Sequence, residues 1–155
     1  MDADNIKKKA DFSICIEKRK GGLEHRLVFL RRGLKTFLIE MASLFDVVLY
    51  TTSKAAYAAA IVDYIDPKRE YFSNVLTRIH CVEEPSGSGS YLKDLSRIVG
   101  RSLDQMLLLD DSQEQVELNK ENAIRILAFG HDMGEDDELA GFTLLAQELA
   151  EARSV

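Results

Sequence analysis

Residues 106–112 read Met-Leu-Leu-Leu-Asp-Asp-Ser, an unbroken apolar run that stops on two acids and a helix-capping residue. Four apolar residues bounded by polar ones suit a strand covered on both faces, as in a parallel sheet. Val47-Val48-Leu49-Tyr50 followed by Thr51-Thr52-Ser53 repeats the design. Helical patterns surround these two runs. Leu34, Phe37, Leu38, Met41 and Leu44 recur at helical spacing and predict a helix from about Gly33 to Phe45. An Ala-rich stretch predicts another over Lys54–Ile65, ended by Asp66-Pro67. Ser112 heads a third through Leu118, and Leu139–Ala152 forms a fourth. Val75–Ile79 and Ala123–Ala128 are further strand candidates. Buried strands alternating with helices imply an α/β domain with a parallel sheet and right-handed crossovers.

Upstream, Asp11–Glu17 alternates apolar and polar residues, and Leu23–Leu30 follows Lys20-Gly21-Gly22, so the pair reads as a β-hairpin. Pro85-Ser86-Gly87-Ser88-Gly89-Ser90 is a flexible loop, too short to join domains. The 155 residues are read as one domain: a polar, disordered start over 1–9, the hairpin over 10–30 and an α/β body over 31–155.

Composition closes off several classes. The net charge is -6, from 20 Lys+Arg and 26 Asp+Glu, which argues against a generally basic chain and against direct nucleic-acid binding. The balance is +4 over residues 1–40 and -9 over residues 101–155, so the acidity belongs to the last third. No apolar run approaches the ~20 residues of a membrane span, and Met1–Lys9 has no apolar signal-peptide region. Cys15 and Cys81 read as free thiols of a reducing compartment. His25, His80 and His131 stand at no metal-ligand spacing from them and read as structural or exposed. The acidic Gly134-Glu135-Asp136-Asp137-Glu138 reads as a solvated loop before the last helix.

In an open α/β sheet, ligands gather beyond the carboxyl ends of the strands. There Thr51-Thr52-Ser53 offers hydroxyls and N–H groups for a phosphate, and Asp110-Asp111 offers oxygen ligands suited to Mg²⁺. Lys93 is placed to neutralise an anion. Each has a plain alternative: a helix cap, a solvated turn and a surface lysine. Spacing alone supports an α/β domain with a phosphate or Mg²⁺ site.

Taken together, further segments resemble a family. They are Ala10-Asp11-Phe12, Leu30-Arg31-Arg32-Gly33-Leu34, Val48-Leu49-Tyr50-Thr51-Thr52-Ser53, Ile65-Asp66-Pro67 and Tyr71-Phe72-Ser73. Arg78-Ile79-His80-Cys81, Lys93-Asp94-Leu95-Ser96, Leu109-Asp110-Asp111-Ser112 and Glu121-Asn122-Ala123-Ile124 complete the series. In this order they resemble the RNA polymerase II C-terminal-domain phosphatases, in the small-phosphatase and NLI-interacting-factor-like branch of the haloacid dehalogenase superfamily. The resemblance implies a Rossmann-like parallel sheet with a β-hairpin insertion. It implies hydrolysis of phosphoserine or phosphothreonine in a protein or peptide substrate through an aspartyl-phosphate. By the same resemblance Thr51 and Lys93 bind the phosphoryl group, Asp110 and Asp111 hold Mg²⁺, and Arg78 lies on the substrate side. Asp111 stands where the family usually has Asn, Gly33 where it has Pro, and Phe129 where it has Trp.

One departure bears on catalysis. The family's nucleophile and general acid/base sit in Asp-x-Asp-x-Thr at the end of an apolar strand before the hairpin. Here Asp2-Ala3-Asp4 is preceded only by Met1 and followed by Asn5-Ile6-Lys7-Lys8-Lys9. Catalytic acids need rigid placement, so this match is read as chance. The expectation is a chain lacking the central first strand, an incomplete copy of a longer protein and inactive as it stands. The alternative is a non-catalytic subunit, resembling the phosphatase-like receptor of the mitochondrial inner-membrane translocase, with presequences and translocase subunits as partners. A phosphopeptide-binding pseudophosphatase is a third reading. The compartment is expected to be nucleus or cytoplasm, or the mitochondrial inner membrane under the alternative.

Overall fold

The computed structural model describes residues 9–18 and 20–152; Asp2-Ala3-Asp4 and nearly all of the polar start lie outside the described residues. In chain order the elements are β1 (Phe12–Glu17), β2 (Leu23–Val28), α1 (Leu34–Leu44), β3 (Val47–Tyr50), α2 (Ala55–Ile65) and β4 (Phe72–Leu76). They continue with β5 (Val82–Glu83), β6 (Tyr91–Leu92), β7 (Leu108–Asp110), α3 (Gln113–Leu118), β8 (Ala123–Arg125) and α4 (Glu138–Ala152). Short 3₁₀ turns, Arg78–His80 among them, fill several connections. The strands pair in twos, as β1–β2, β3–β4, β5–β6 and β7–β8. β7 and β8 are parallel, with Leu109 opposite Ile124 and α3 between them in sequence, the unit that the apolar run before Asp110 predicts.

Two compact units emerge. The first takes the described residues through Val47, then Ala56–Ser73, and the chain from Phe129. Its hairpin turns at Gly21 and Gly22, both at positive φ (84° and 89°), where glycine carries no Cβ penalty. At the open end the Asp11 carboxylate accepts the Leu30 N–H at 2.7 Å. Strand alternation then sorts the residues. Phe12, Ile14, Ile16, Glu24, Arg26 and Val28 share one face, on which Ile14 is buried. Phe12 stacks on Tyr64 of α2 with ring centres 3.7 Å apart, and the Arg26 guanidinium lies 5.8 Å from the Tyr57 ring centre. Tyr57 and Tyr64 are two helical turns apart and so share a face of α2. The opposite face pairs exposed Cys15 with exposed His25, Sγ to Nε2 3.8 Å. The ladder thus joins a cysteine and a histidine that spacing along the chain had kept apart.

Leu38 and Met41 of α1, Ala58 and Val62 of α2, and Leu139 and Ala146 of α4 are buried in this unit. Phe37 of α1 meets Phe142 of α4 at 6.1 Å between ring centres. Gly33, the N-cap of α1, has φ 76°. Proline, held near -65°, cannot adopt that value, so the glycine found where the resemblance expects proline goes with a different local backbone.

Two readings need correction. The strand expected at Val75–Ile79 runs instead over Phe72–Leu76. Asp66 launches it early: its carboxylate accepts N–H bonds from Glu70 (2.7 Å), Tyr71 (3.0 Å) and Phe72 (3.0 Å). After the strand, the Thr77 N–H donates to His80 Nδ1 at 2.9 Å and the His80 N–H to the Thr77 carbonyl at 2.8 Å, closing a turn where extended backbone was expected.

The acidic loop is not solvated throughout. Asp136 is buried, its carboxylate gripped at two points by Arg31, Nε to Oδ2 at 2.6 Å and Nη2 to Oδ1 at 2.9 Å. It also accepts the Glu138 N–H, the first of α4, at 3.2 Å. A run of acids reads as surface until its cationic partner, 105 residues earlier, is known. The Arg31 hydrogen bonds hold the Asp136 carboxyl below the usual carboxylate range despite partial desolvation. The folded pKa is therefore below the unfolded one. Its stabilisation is complete above about pH 4 and is lost as pH falls through the folded value. Asp136→Asn is expected to flatten the acid side of a melting-temperature-against-pH curve; an unchanged acid limb would refute this assignment.

Candidate functional site

All five residues singled out by the resemblance lie in the second unit, Val48–Ala55 and Asn74–Ala128. The unit is built around buried Leu95 and Leu108. Its centre is an ion pair between Lys93, which follows β6, and Asp110, which ends β7. The Lys93 side chain is 15% exposed and that of Asp110 5%, so neither is a surface charge. Asp110 also accepts the Ser112 N–H at 3.0 Å, which fixes the strand-to-helix turn.

Thr51 and Arg78 meet through the chain. The Thr51 N–H donates to the Leu76 carbonyl at 2.9 Å, and its hydroxyl accepts the Ser53 N–H at 3.1 Å. That hydroxyl stabilises its own turn, with α2 starting later, at Ala55. Arg78 holds the same loop, its N–H on the Ser53 carbonyl (2.9 Å) and its Nε on the Thr52 carbonyl (2.8 Å). The guanidinium lies 4.9 Å from the Tyr91 ring centre, a cation–π distance.

Cys81 joins the two halves. Its thiol lies 3.7 Å from the carbonyls of both Thr51 and Thr77. Burial pushes the thiol up; the charges of Lys93 and Arg78 oppose this without cancelling it. Cys81 therefore stays a protonated donor at neutral pH. Beside it, burial and then the neighbouring thiol push the Tyr50 phenol up to about 12, keeping the proton it donates to the His80 carbonyl at 2.9 Å. Thr51, Arg78 and Cys81 thus share one set of backbone-anchored bonds, while Lys93 and Asp110 form an ion pair of their own whose lysine charge acts on the Cys81 thiol.

Asp111 is set apart. Its side chain is exposed, and its backbone carbonyl accepts Arg125 Nε at 3.3 Å. Among the described residues no group of three His, Cys, Asp or Glu stands ready for a metal. Two carboxylates still fit Mg²⁺ as a partial set, because this ion takes one or two carboxylates and fills the rest with water and phosphate oxygens.

Hydropathy gave no notice of Gln115 and Asn119. Both are buried and four residues apart, Gln115 within α3 and Asn119 at its C-cap, while Leu118 is 45% exposed. Gln115 accepts the Lys93 N–H at 2.6 Å and donates to the Tyr91 carbonyl at 2.9 Å. Asn119 donates to the carbonyls of Lys93 (2.7 Å) and Gln115 (2.8 Å) and accepts the Leu95 N–H at 3.0 Å. Two amides thus bind the Tyr91–Leu95 backbone as a neighbouring strand would, and hold Lys93 in place. The one signal in the sequence was two amides four residues apart.

Residues 2–155 match the family described as NLI interacting factor-like phosphatase. The chain is 37% identical over 147 residues to human carboxy-terminal domain RNA polymerase II polypeptide A small phosphatase 2, covering 94% of this chain and 51% of that protein. It is 35% identical over 112 residues to CTD small phosphatase-like protein 3 of Caenorhabditis elegans, covering 72% of this chain and 38% of the relative. The chain therefore spans about a quarter to a half of the curated relatives it matches. Among solved structures, fission yeast RNA polymerase II CTD phosphatase Fcp1 bound to beryllium fluoride aligns with a TM-score of 0.64 at 21% identity, covering 92% of this chain and 41% of that one. Another structure of Fcp1, an essential RNA polymerase II CTD phosphatase, gives 0.64 at 25% identity over 89% and 38%. The α/β fold is thus that of the haloacid-dehalogenase-type CTD phosphatases, and the chain belongs to the NLI interacting factor-like phosphatase family.

Proposed function

We propose that the chain is the phosphate-binding core of a protein phosphatase directed at phosphoserine and phosphothreonine in protein segments. The Thr51 hydroxyl and the Lys93 ammonium bind the phosphoryl oxygens, and Arg78 meets the substrate beside them. Asp110 and Asp111 hold Mg²⁺, which when bound neutralises phosphoryl charge. The observation that supports this most is the shielded Lys93–Asp110 pair, since a cation positioned by two amides and a carboxylate is oriented before any anion arrives. Family membership and the links from Cys81 to the Thr51 loop add to it. Chemistry needs a rigid Asp-x-Asp, and Asp2-Ala3-Asp4 lies in a polar start; residues 1–155 accordingly bind phosphate without turnover. A nuclear or cytoplasmic setting accompanies this reading. Among the described residues no helix is long and apolar enough to cross a membrane.

Calorimetry with a phosphoserine peptide and Mg²⁺ tests the binding role. Thr51→Val is expected to weaken binding about tenfold, the loss of about 1.4 kcal/mol, and Lys93→Met to weaken it further, with folding followed by circular dichroism. Wild-type affinity in folded forms of both variants would overturn the reading. Mg²⁺-dependent hydrolysis of p-nitrophenyl phosphate that survives Asp2→Asn and Asp4→Asn would overturn the absence of turnover.

A further inference from the structure

The face of the β1–β2 hairpin opposite Ile14 belongs to the first unit. It holds Ser13, Cys15 and Glu17 opposite Leu27, His25 and Leu23. Two features stand out. Leu23 is 64% exposed and Leu27 38%, flanking His25 along the strand. Between them Cys15 and His25 occupy one rung of the ladder, with Sγ and Nε2 3.8 Å apart and both residues exposed.

That separation suits chelation. Tetrahedral bonds of about 2.3 Å to sulfur and 2.0–2.1 Å to nitrogen set the two ligand atoms about 3.6 Å apart, so a shift of a few tenths of an ångström would seat a zinc-type ion. One hairpin offers only half of a four-ligand set, and no third His, Cys, Asp or Glu joins it among the described residues. A second copy of the same face, turned about a two-fold axis through the metal, supplies the other half. It also brings Leu23 and Leu27 of each copy toward the other's apolar side chains.

We propose that Cys15 and His25 form half of a Cys₂His₂ site for a thiolate-preferring divalent ion, completed by the hairpin of a second copy. Binding forms two metal–sulfur and two metal–nitrogen bonds and releases the two thiol protons to solvent, with no change of oxidation state. Without the ion the face carries Glu17 on each copy, a like charge that opposes bare association.

The test is titration of the reduced, metal-free 155-residue chain with Co²⁺ and Zn²⁺, followed by absorption and sedimentation. The expected result is a thiolate-to-cobalt charge-transfer band with tetrahedral visible bands, saturating at one ion per two chains together with dimer formation. Both signals are expected to vanish in Cys15→Ser and His25→Gln, whose exposed positions leave the fold intact by circular dichroism, and to persist in Cys81→Ser. A dimer that forms without metal, saturation at one ion per chain, or binding that survives Cys15→Ser would overturn the proposal.

Discussion

Asp66→Ala is expected to remove about 4 kcal/mol of folding stability in urea denaturation. The residue is 1% exposed and its carboxylate accepts three backbone N–H groups at 2.7–3.0 Å. Bonds to a charged group contribute about 1.5–3 kcal/mol each, and a buried donor left without a partner costs about 1–3 kcal/mol. Three bonds to one carboxylate are not additive, hence the middling figure. The turn adds its own constraint: Arg69 has φ 57°, a left-handed value held by its bonds to the Asp66 carbonyl. Burial alone would raise the Asp66 pKa, but the N–H groups of Phe72, Glu70 and Tyr71, then Arg69, more than offset it and the net shift is downward. The sign follows. Stability from Asp66 is present above about pH 4 and declines as pH falls toward the depressed folded value, and the alanine variant lacks that decline. A loss below about 1 kcal/mol, typical of surface substitutions, would show that the three bonds are not what begins β4.

Asn119→Leu is expected to cost about 3 kcal/mol and to reduce affinity for phosphoserine peptide together with stability. Leucine has the same branching and the same number of side-chain heavy atoms and is somewhat bulkier, so no cavity is left. What it removes is the acceptor of the Leu95 N–H and the donors to the Lys93 and Gln115 carbonyls, all in buried or part-buried surroundings. The Lys93 backbone then keeps only Gln115, through its N–H. Leu118→Ala, one residue away and 45% exposed, provides the contrast with an expected cost under about 1 kcal/mol. Equal losses in the two variants would mean that α3 is anchored by its apolar residue. If stability fell in Asn119→Leu while peptide affinity held, the amide clamp would stand and the phosphate role of Lys93 would not.

The helices were legible because their apolar spacing matched the faces they bury. Leu38 and Met41 of α1 and Val62 of α2 lie where the 3.6-residue period puts them. Strand β7 of the parallel pair was legible from an apolar run ending in acids, and the hairpin from alternation around two glycines. What escaped shares one cause: polar side chains bonded to distant backbone or to a distant charge. Asp66 starts a strand by accepting N–H bonds four to six residues on. Asp136 is defined by Arg31, and Lys93 by Gln115 and Asn119 of a helix that turns Leu118 outward. Hydropathy registers none of these, because a buried amide and an exposed one score alike until the partner is known. The position of Cys15 opposite His25 follows from register, which the turn sets and composition does not.

The Ser/Gly loop between β5 and β6 satisfies itself. The Glu84 N–H donates to the Ser90 carbonyl at 3.0 Å, Ser88 Oγ to the Glu84 carboxylate at 2.5 Å, and the Ser90 N–H to Ser88 Oγ at 3.1 Å. Cys81 stands just before the β5–β6 stem and Lys93 just after it, each held by bonds outside the loop. Chain length between residues 85 and 90 is thereby uncoupled from the site, and doubling the loop costs only about 0.6 kcal/mol in closure entropy. A spectroscopic tag or an inserted recognition peptide belongs at this tip, where added length leaves the lysine in its place.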